Sequence, residues 1–508
     1  MAFTDHSDPH PSSHSPSPRD ASADAEPAQG VDRRAFLKRT ALSSAALSMG
    51  LWGGDGATAS ASVRPRADVQ GDARNIIFLV VDGMSQGTLT MTDQLLQRHH
   101  DRTSHWVDLY RNQAYDAKAF MDMTPLNSLV TGSAAAASSW GCGHRINNTM
   151  LNMDPDENPY RTICQIVRDA GKATGLVSTA RITHATPAGF GINMPQRWME
   201  DDIAAQYLER GYDLLMGGGA RHFTAEGRDD NQDLTAAFAD AGYRVLRSRS
   251  DLGDVASAEK ALGLFYDSHL PYELDRRRID RLQRSVPSLA EMTDAALNRL
   301  NQHEEGFLLQ VEGGRVDHGA HSNDTAGLLY DQVAFDDTIA TVLDFVADRD
   351  DTLLVVTTDH GNANPGLNAI GDRYEDSPAM FDRIANFRRS NEWIFRELDE
   401  DSAVDEIQER IAFACNLDIS TEQASTLKQA MQGDFEAVYQ PRSSPSAVLS
   451  AIQANYTAVN WTGSMHTSDY VPLVAMGPGS DTIGSFVRNT DLFDLMVDVT
   501  GVRAHAEG

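Results

Sequence analysis

The chain has 508 residues, 41% of them hydrophobic and 23% charged, which is enough to bury a large core and argues against both wholesale disorder and a membrane-spanning body. A formal net charge of −30 argues against nucleic acid or an anionic membrane surface as partner, because a phosphate-rich surface demands a basic face. Of the 43 basic residues only Lys38, Lys118, Lys172, Lys260 and Lys428 are lysines, so the surface reads as acidic, solvated and arginine-based, and a bound cation cluster would account for only a few of the carboxylates.

In chain order, residues 1–31 are rich in Ser, Pro, Asp, Ala and His without apolar periodicity and read as a disordered leader. Next come the charged segment Asp32-Arg33-Arg34-Ala35-Phe36-Leu37-Lys38, a weakly apolar stretch from Ala41 to about Trp52, and small-residue sites at Ala57-Thr58-Ala59 and Ala59-Ser60-Ala61. This order resembles a twin-arginine export signal occupying residues 1–61 and predicts a periplasmic or extracellular destination without a membrane anchor. Cys142, Cys164 and Cys415 are too few and too odd a set for a disulfide framework, although one bridge is possible.

Six apolar runs then read as buried parallel strands: Asn75 to Val81, Lys172 to Ser178, Tyr212 to Met216, Gly306 to Val311, Thr352 to Thr357 and Val471 to Met476. Helical patterns fall between them at Tyr160 to Ala170, Ser288 to Gln302 and Leu328 to Asp348. The alternation predicts an α/β fold over residues 72–508, a doubly wound central sheet with helices on both faces, whose function gathers beyond the carboxyl ends of the strands. From about Pro365 to Trp461 the strand signal gives way to charged helical sequence, which reads as an insertion that caps or rims the site.

Five segments carry chemistry. Val80-Val81-Asp82-Gly83-Met84 delivers a carboxylate at a strand end; alone, such an aspartate is more often a helix cap. Thr131-Gly132-Ser133 precedes Ala134 to Ala137, and a serine at a helix start can approach a phosphate or merely cap. No histidine lies near Ser133 in sequence, so an active Ser133 would need a metal to lower its pKa. Val311-Glu312-Gly313-Gly314-Arg315-Val316-Asp317-His318-Gly319-Ala320-His321 concentrates acids and histidines at a strand exit, and Asp317 and His321, four apart, could share a helical face and one metal. Thr357-Thr358-Asp359-His360-Gly361 ends another strand in adjacent oxygen and nitrogen ligands, and Gly463-Ser464-Met465-His466-Thr467 offers a last histidine just before the last strong strand.

These segments, in this order and together with His184-Ala185-Thr186-Pro187-Ala188 and Arg197, resemble the alkaline phosphatase family over roughly Asn75 to Gly479, with the insertion poorly matched. The resemblance implies a phosphomonoesterase with two zinc sites and one magnesium site around a phosphorylated Ser133. One zinc would be held by Asp317, His321 and His466, the other by Asp82, Asp359 and His360. Magnesium would share Asp82 and take Thr186 and Glu312. His184 would act through water or behind the ligands, and His184 with His318 leaves the identity of the third ion open. Arg197 would clamp phosphate oxygens with its planar fork. The expected partners are small phosphate monoesters of broad kind, with a homodimer left open as the assembly.

One position departs from the family pattern. Gly132 stands where an aspartate is common before the nucleophile, so the carboxylate expected to anchor Arg197 is missing and a looser Arg197 is predicted. A phosphodiesterase would need room for a second ester group, whereas Arg197 and Glu312 speak for monoesters. A sulfatase lacks support because Ala134 to Ala137 replace the Pro and Arg of its nucleophile motif. A silent metal- or phosphate-binding protein is the alternative from another class.

Overall fold

The apolar run Asn75–Val81 becomes the strand around which the molecule is built, in a computed structural model that describes residues 72–506. Its side chains alternate between two cores: Ile77, Leu79 and Val81 pack on one face of the sheet, and Ile76, Phe78 and Val80 on the other. A strand buried on both faces needs an unbroken apolar run, which is why it was visible in the sequence. The leader and export signal lie outside the described residues.

The central sheet has ten strands: β1 Asn75–Val81, β2 Ala117–Asp122, β3 Ala173–Arg181, β4 Leu214–Gly218, β5 Tyr243–Leu246, β6 Lys260–Leu264, β7 Phe307–Gly313, β8 Thr352–Thr358, β9 Val471–Met476 and β10 Phe486–Arg488. Their spatial order is β10-β2-β9-β8-β1-β7-β3-β4-β6-β5, with helices covering both faces. All six expected strands are present, but β9 is not parallel: it pairs antiparallel with both β8 and β2. Composition reports burial and not direction, so nothing in Val471–Met476 marked the reversal. The expected helices appear as Ile163–Asp169, Leu289–Leu300 and Thr325–Val346. The first starts three residues later than the sequence pattern, because Thr162 and Gln165 form a capping box that fixes its start.

Cys142, Cys164 and Cys415 are all buried and free, so the one bridge that the sequence allowed is not formed. Residues 365–461 form five short to medium α-helices, the last being Pro445–Thr457, and three 3-10 turns, closed at the base by a two-stranded ladder of Gly366–Leu367 with Val459–Asn460. Among the described residues, no helix is long and apolar enough to cross a membrane.

Candidate metal and phosphate site

Four adjacent parallel strands, β8, β1, β7 and β3, end at the same edge of the sheet. Register then determines which side chains meet. Val80 lies beside Glu312 on one side and Thr357 on the other, while Ser178 of β3 lies beside Glu312. Asp82, Glu312 and the Asp359-His360 pair therefore emerge side by side. The reversal of β9 matters here: an antiparallel strand begins where its neighbours finish, so the segment before Val471 enters at this edge. His466-Thr467 is fixed there by an antiparallel ladder with Gly361-Asn362.

Ser133 arrives on the helix Ser133–Cys142, buried along its whole length. That helix packs closely on Ala185–Gly191 because both faces are small. A Cβ on Gly141 would lie 1.9 Å from the Gly189 carbonyl oxygen, and one on Gly189 would lie 2.5 Å from the Ala137 Cβ. The Ala-rich run thus has a packing purpose: it brings Ser133 to the His184–Thr186 turn. Gly83 has a comparable constraint at the end of β1, with φ of +71° and a Cβ position 2.5 Å from Asp317 Oδ1.

The side chains converge as three groups whose ligand-type atoms lie within 4.8 Å of one another: Asp317, His321 and His466; Asp82, Asp359 and His360; and Asp82, His184 and Glu312. In the first, His321 Nε2 is 3.3 Å from Asp317 Oδ2 and 3.0 Å from His466 Nε2. The outer nitrogens are oriented by carbonyls, His321 Nδ1 by Ser464 at 2.7 Å and His466 Nδ1 by Thr131 at 2.9 Å. In the second, His360 Nε2 is 3.1 Å from Asp359 Oδ2 and 3.5 Å from Asp82 Oδ1. Thr186 Oγ1 donates to Asp82 Oδ2 at 3.4 Å, so the threonine expected at the third site is also in place. His184, expected behind the ligands, stands within the third group itself.

Ser133 is 1% exposed, and its Oγ lies 3.3 Å from both His360 Nε2 and Arg197 Nη1. Arg197 Nη2 reaches His184 Nε2 at 2.7 Å, so without an acidic residue at 132 the guanidinium still has a side-chain partner. The Gly132 N–H donates to Asn148 Oδ1 at 2.8 Å.

The electrostatics call for cations. Burial, and then the carboxylates of Asp359, Asp317 and Glu312, push the Asp82 carboxyl well above the usual range. Burial pushes Glu312 up to about 7, against a hydrogen bond from Ser178 that lowers it. Burial acts in the same sense on Asp317, but His321, His466 and His360 outweigh it and hold that carboxyl low. Burial, then Arg197 and His318, hold His184 neutral. Asp82 Oδ1, Asp359 Oδ2, Glu312 Oε1, His184 Nδ1 and His360 Nδ1 are buried without a hydrogen-bond partner. Clustered buried carboxylates whose second oxygens lack a hydrogen bond are costly unless they hold a metal. All three groups offer mixed oxygen and nitrogen donors of the kind that zinc takes, the second and third with two carboxylates and one histidine each, and Thr186 Oγ1 adds a further oxygen beside Asp82.

The alkaline phosphatase family model matches residues 73–502. The chain belongs to the alkaline phosphatase family. It is a phosphoric monoester hydrolase of a metal-dependent family, and its fold is that of the family's solved members. The Thermus thermophilus alkaline phosphatase structure superposes with a TM-score of 0.81 at 33% identity, over 89% of this chain and 96% of that one. Alkaline phosphatase 4 of Bacillus subtilis is 28% identical over 87% of this chain and 91% of its own length. Streptomycin-6-phosphate phosphatase of Streptomyces griseus is 30% identical over 57% of this chain and 74% of its own.

Three residues of this phosphatase site were not singled out from sequence. Asn362 donates to Asp317 Oδ1 at 2.7 Å. Ser178 donates to Glu312. His269 stands with its ring 4.2 Å from that of His318 and 5.4 Å from that of His184. Asn362, two residues after His360, and Ser178, at a predicted strand end, were within reach of the motif reading. His269 sits on a loop with no neighbouring signal and comes to the site only through the fold.

Proposed function

We propose that this alkaline phosphatase hydrolyses monoesters through a phosphoserine at Ser133, in a site built for two zinc ions and one magnesium ion. The carrying observation is the placement of Ser133 Oγ at 3.3 Å from both His360 and Arg197, between the ligand groups and a guanidinium. Asp317, His321 and His466 would hold one zinc, Asp82, Asp359 and His360 the other, and Asp82, Glu312 and Thr186 the magnesium, with His184 as ligand or immediate support. When bound, the ions supply positive charge that lowers the pKa of the Ser133 hydroxyl, offsets charge on the leaving oxygen and provides an activated water.

Ser133 Oγ gives up its proton to solvent and attacks phosphorus, forming a bond to the serine oxygen as the bond to the leaving alcohol's oxygen breaks and that oxygen takes a proton from solvent. Arg197 places its two parallel N–H groups on the phosphoryl oxygens, orienting the group for in-line displacement. To do so it exchanges its contacts with Ser133 and His184 for the anion. Water then attacks the phosphoserine, and phosphate leaves as Ser133 regains its proton. Both displacements act on the phosphoryl group, so the alcohol needs little recognition. A relative named for streptomycin 6-phosphate supports tolerance of bulky leaving groups.

Paired assays with p-nitrophenyl phosphate and its bis-p-nitrophenyl diester, before and after chelation and with Ser133→Ala, test the reading. Monoester turnover should be lost on chelation, restored by zinc with magnesium, and absent in Ser133→Ala. Preferred diester turnover would assign a phosphodiesterase, and inactivity on both esters with full metal occupancy would assign a binding protein.

The order of residues 32–61 supports export through a twin-arginine route. Replacing Arg33 and Arg34 by lysine should then retain the enzyme in the cytoplasm. Undiminished export would contradict that assignment.

A further inference from the structure

Arg315 opens the short helix Arg315–His321, two residues before Asp317, and is 5% exposed. Three separate parts of the chain hold its guanidinium. Nη1 donates to His318 Nδ1 at 3.0 Å, Nη2 donates to Glu392 Oε2 at 2.5 Å, and the guanidinium carbon stands 3.8 Å over the Tyr272 ring. Its backbone N–H donates to Thr179 Oγ1 at 3.2 Å. Glu392 belongs to the helix Asn391–Phe395, within the segment 365–461. That helix is anchored at its start, where the Asn391 N–H donates to Asp324 Oδ2 at 2.6 Å and Ser390 Oγ donates to Asp275 Oδ2 at 2.5 Å.

An arginine side chain only donates and stays charged. The His318 nitrogen facing it must therefore be the unprotonated one, and the single ring proton must sit on Nε2. A lone pair engaged by a guanidinium hydrogen is not available to a cation. The neighbouring ligand group fits this exclusion. It gathers Asp82, Glu312 and His184, whose Nδ1 has no hydrogen-bond partner, and leaves out His318, although the two rings are only 5.4 Å apart.

We propose that Arg315, braced by Glu392, is a positioning residue that fixes His318 as an Nε2–H donor and withholds it from the third cation group. The withholding half rests on the reading of Asp82, His184 and Glu312 as a cation site. The tautomer half does not. The segment 365–461 thereby contributes to the site through one carboxylate.

The test is long-range 1H–15N correlation of ring-labelled histidines in the full-length enzyme, chelated and metal-loaded, with His318 assigned from its loss in His318→Gln. The wild type should show Nε2–H and unprotonated Nδ1 in both states, with His318 indifferent to cation loading. Arg315→Met should lower the ratio of Nε2–H to Nδ1–H about tenfold or more, the scale of one hydrogen bond to a charged group. It should also make the His318 signals respond to zinc. Arg315→Lys, which still donates, should restore most of the tautomer preference, and Glu392→Gln should weaken it. Nδ1–H in the wild type, or a tautomer and cation response unchanged in Arg315→Met, would overturn the proposal. If Arg315→Met does not fold, the wild-type tautomer and Arg315→Lys decide it. Nε2–H without cation uptake at Asp82 and Glu312 would overturn the withholding and the third site together, while leaving Arg315's hold on His318 standing.

Discussion

Ser133, Arg197 and Gly132 show how single side chains divide the work. Arg197 is held by an imidazole nitrogen at 2.7 Å, whereas the family pattern would place a carboxylate at 132 to hold it. A neutral acceptor binds a guanidinium less strongly than a carboxylate, so Arg197 is freer to move onto the anion and freer to leave it. A Cβ at Gly132 meets nothing closer than Asn148 Oδ1 at 3.6 Å, and the backbone there has φ of −102°. Gly132→Asp should therefore fold normally and tighten inhibition by inorganic phosphate severalfold while slowing release. Inhibition constants equal to those of the wild type would remove position 132 from the account. At Gly83 the constraint is opposite, since any side chain collides with Asp317 and must also adopt φ of +71°. Gly83→Ala should lower metal occupancy at the Asp317, His321 and His466 group, as read by metal analysis.

The candidate ligands sit where they do because elements deliver them. Parallel register places Asp82, Glu312 and Asp359 abreast, and the close approach of two small-residue helices brings Ser133 to them. Gly189→Val should push the Ser133–Cys142 helix away and cost about 1–3 kcal/mol, with a larger loss of activity than of thermal stability. Near-normal turnover would show that the helix spacing does not set the serine. Most strands buried on both faces were legible in the sequence, and β1 was read to the residue, although β6 is buried from Ala261 to Leu264 and was missed. The strands that sequence missed, β2, β5, β6 and β10, are three to six residues long, and β5 and β10 form the two edges of the sheet. β2 alternates buried and exposed positions, so no continuous apolar run marks it. The antiparallel run of β9 was illegible for another reason: direction is decided by where the chain re-enters the sheet. The ligand types at strand exits were legible because acids and histidines follow directly on the apolar runs there. His269 and the role of Arg315 were not, because each depends on contacts between distant segments.

At the scale of the molecule, the segment 365–461 is tied through buried acids to helices that lie outside it, Asp324 capping Thr325–Val346 and Asp275 within Glu273–Arg278. Asp324 accepts from the Gly327 N–H at 2.9 Å and the Asn391 N–H at 2.6 Å, and burial raises its carboxyl to about 7. An unfolded aspartate titrates near 3.8, so between those values the folded protein binds the extra proton. Its contribution to stability is full below the lower value and is lost as pH rises through the upper one, by at most about 1.4 kcal/mol per pH unit. At fixed metal loading, the stability difference between wild type and Asp324→Asn should therefore shrink or reverse as pH rises from about 4 to 7. A pH-independent difference in denaturation midpoints would contradict that assignment. The formal net charge of −30 is spread over the chain, and the reading of Ser133 as the phosphorylated residue depends only on the few carboxylates drawn together beyond the strands' carboxyl ends.

That reading is tested most directly by acid-quenching the metal-loaded enzyme during turnover of a phosphate-labelled monoester and locating the label by peptide mass spectrometry. The account predicts phosphate on Ser133 alone, absent after chelation and absent in Ser133→Ala. Label on another residue, or sustained hydrolysis by fully metallated Ser133→Ala, would contradict it.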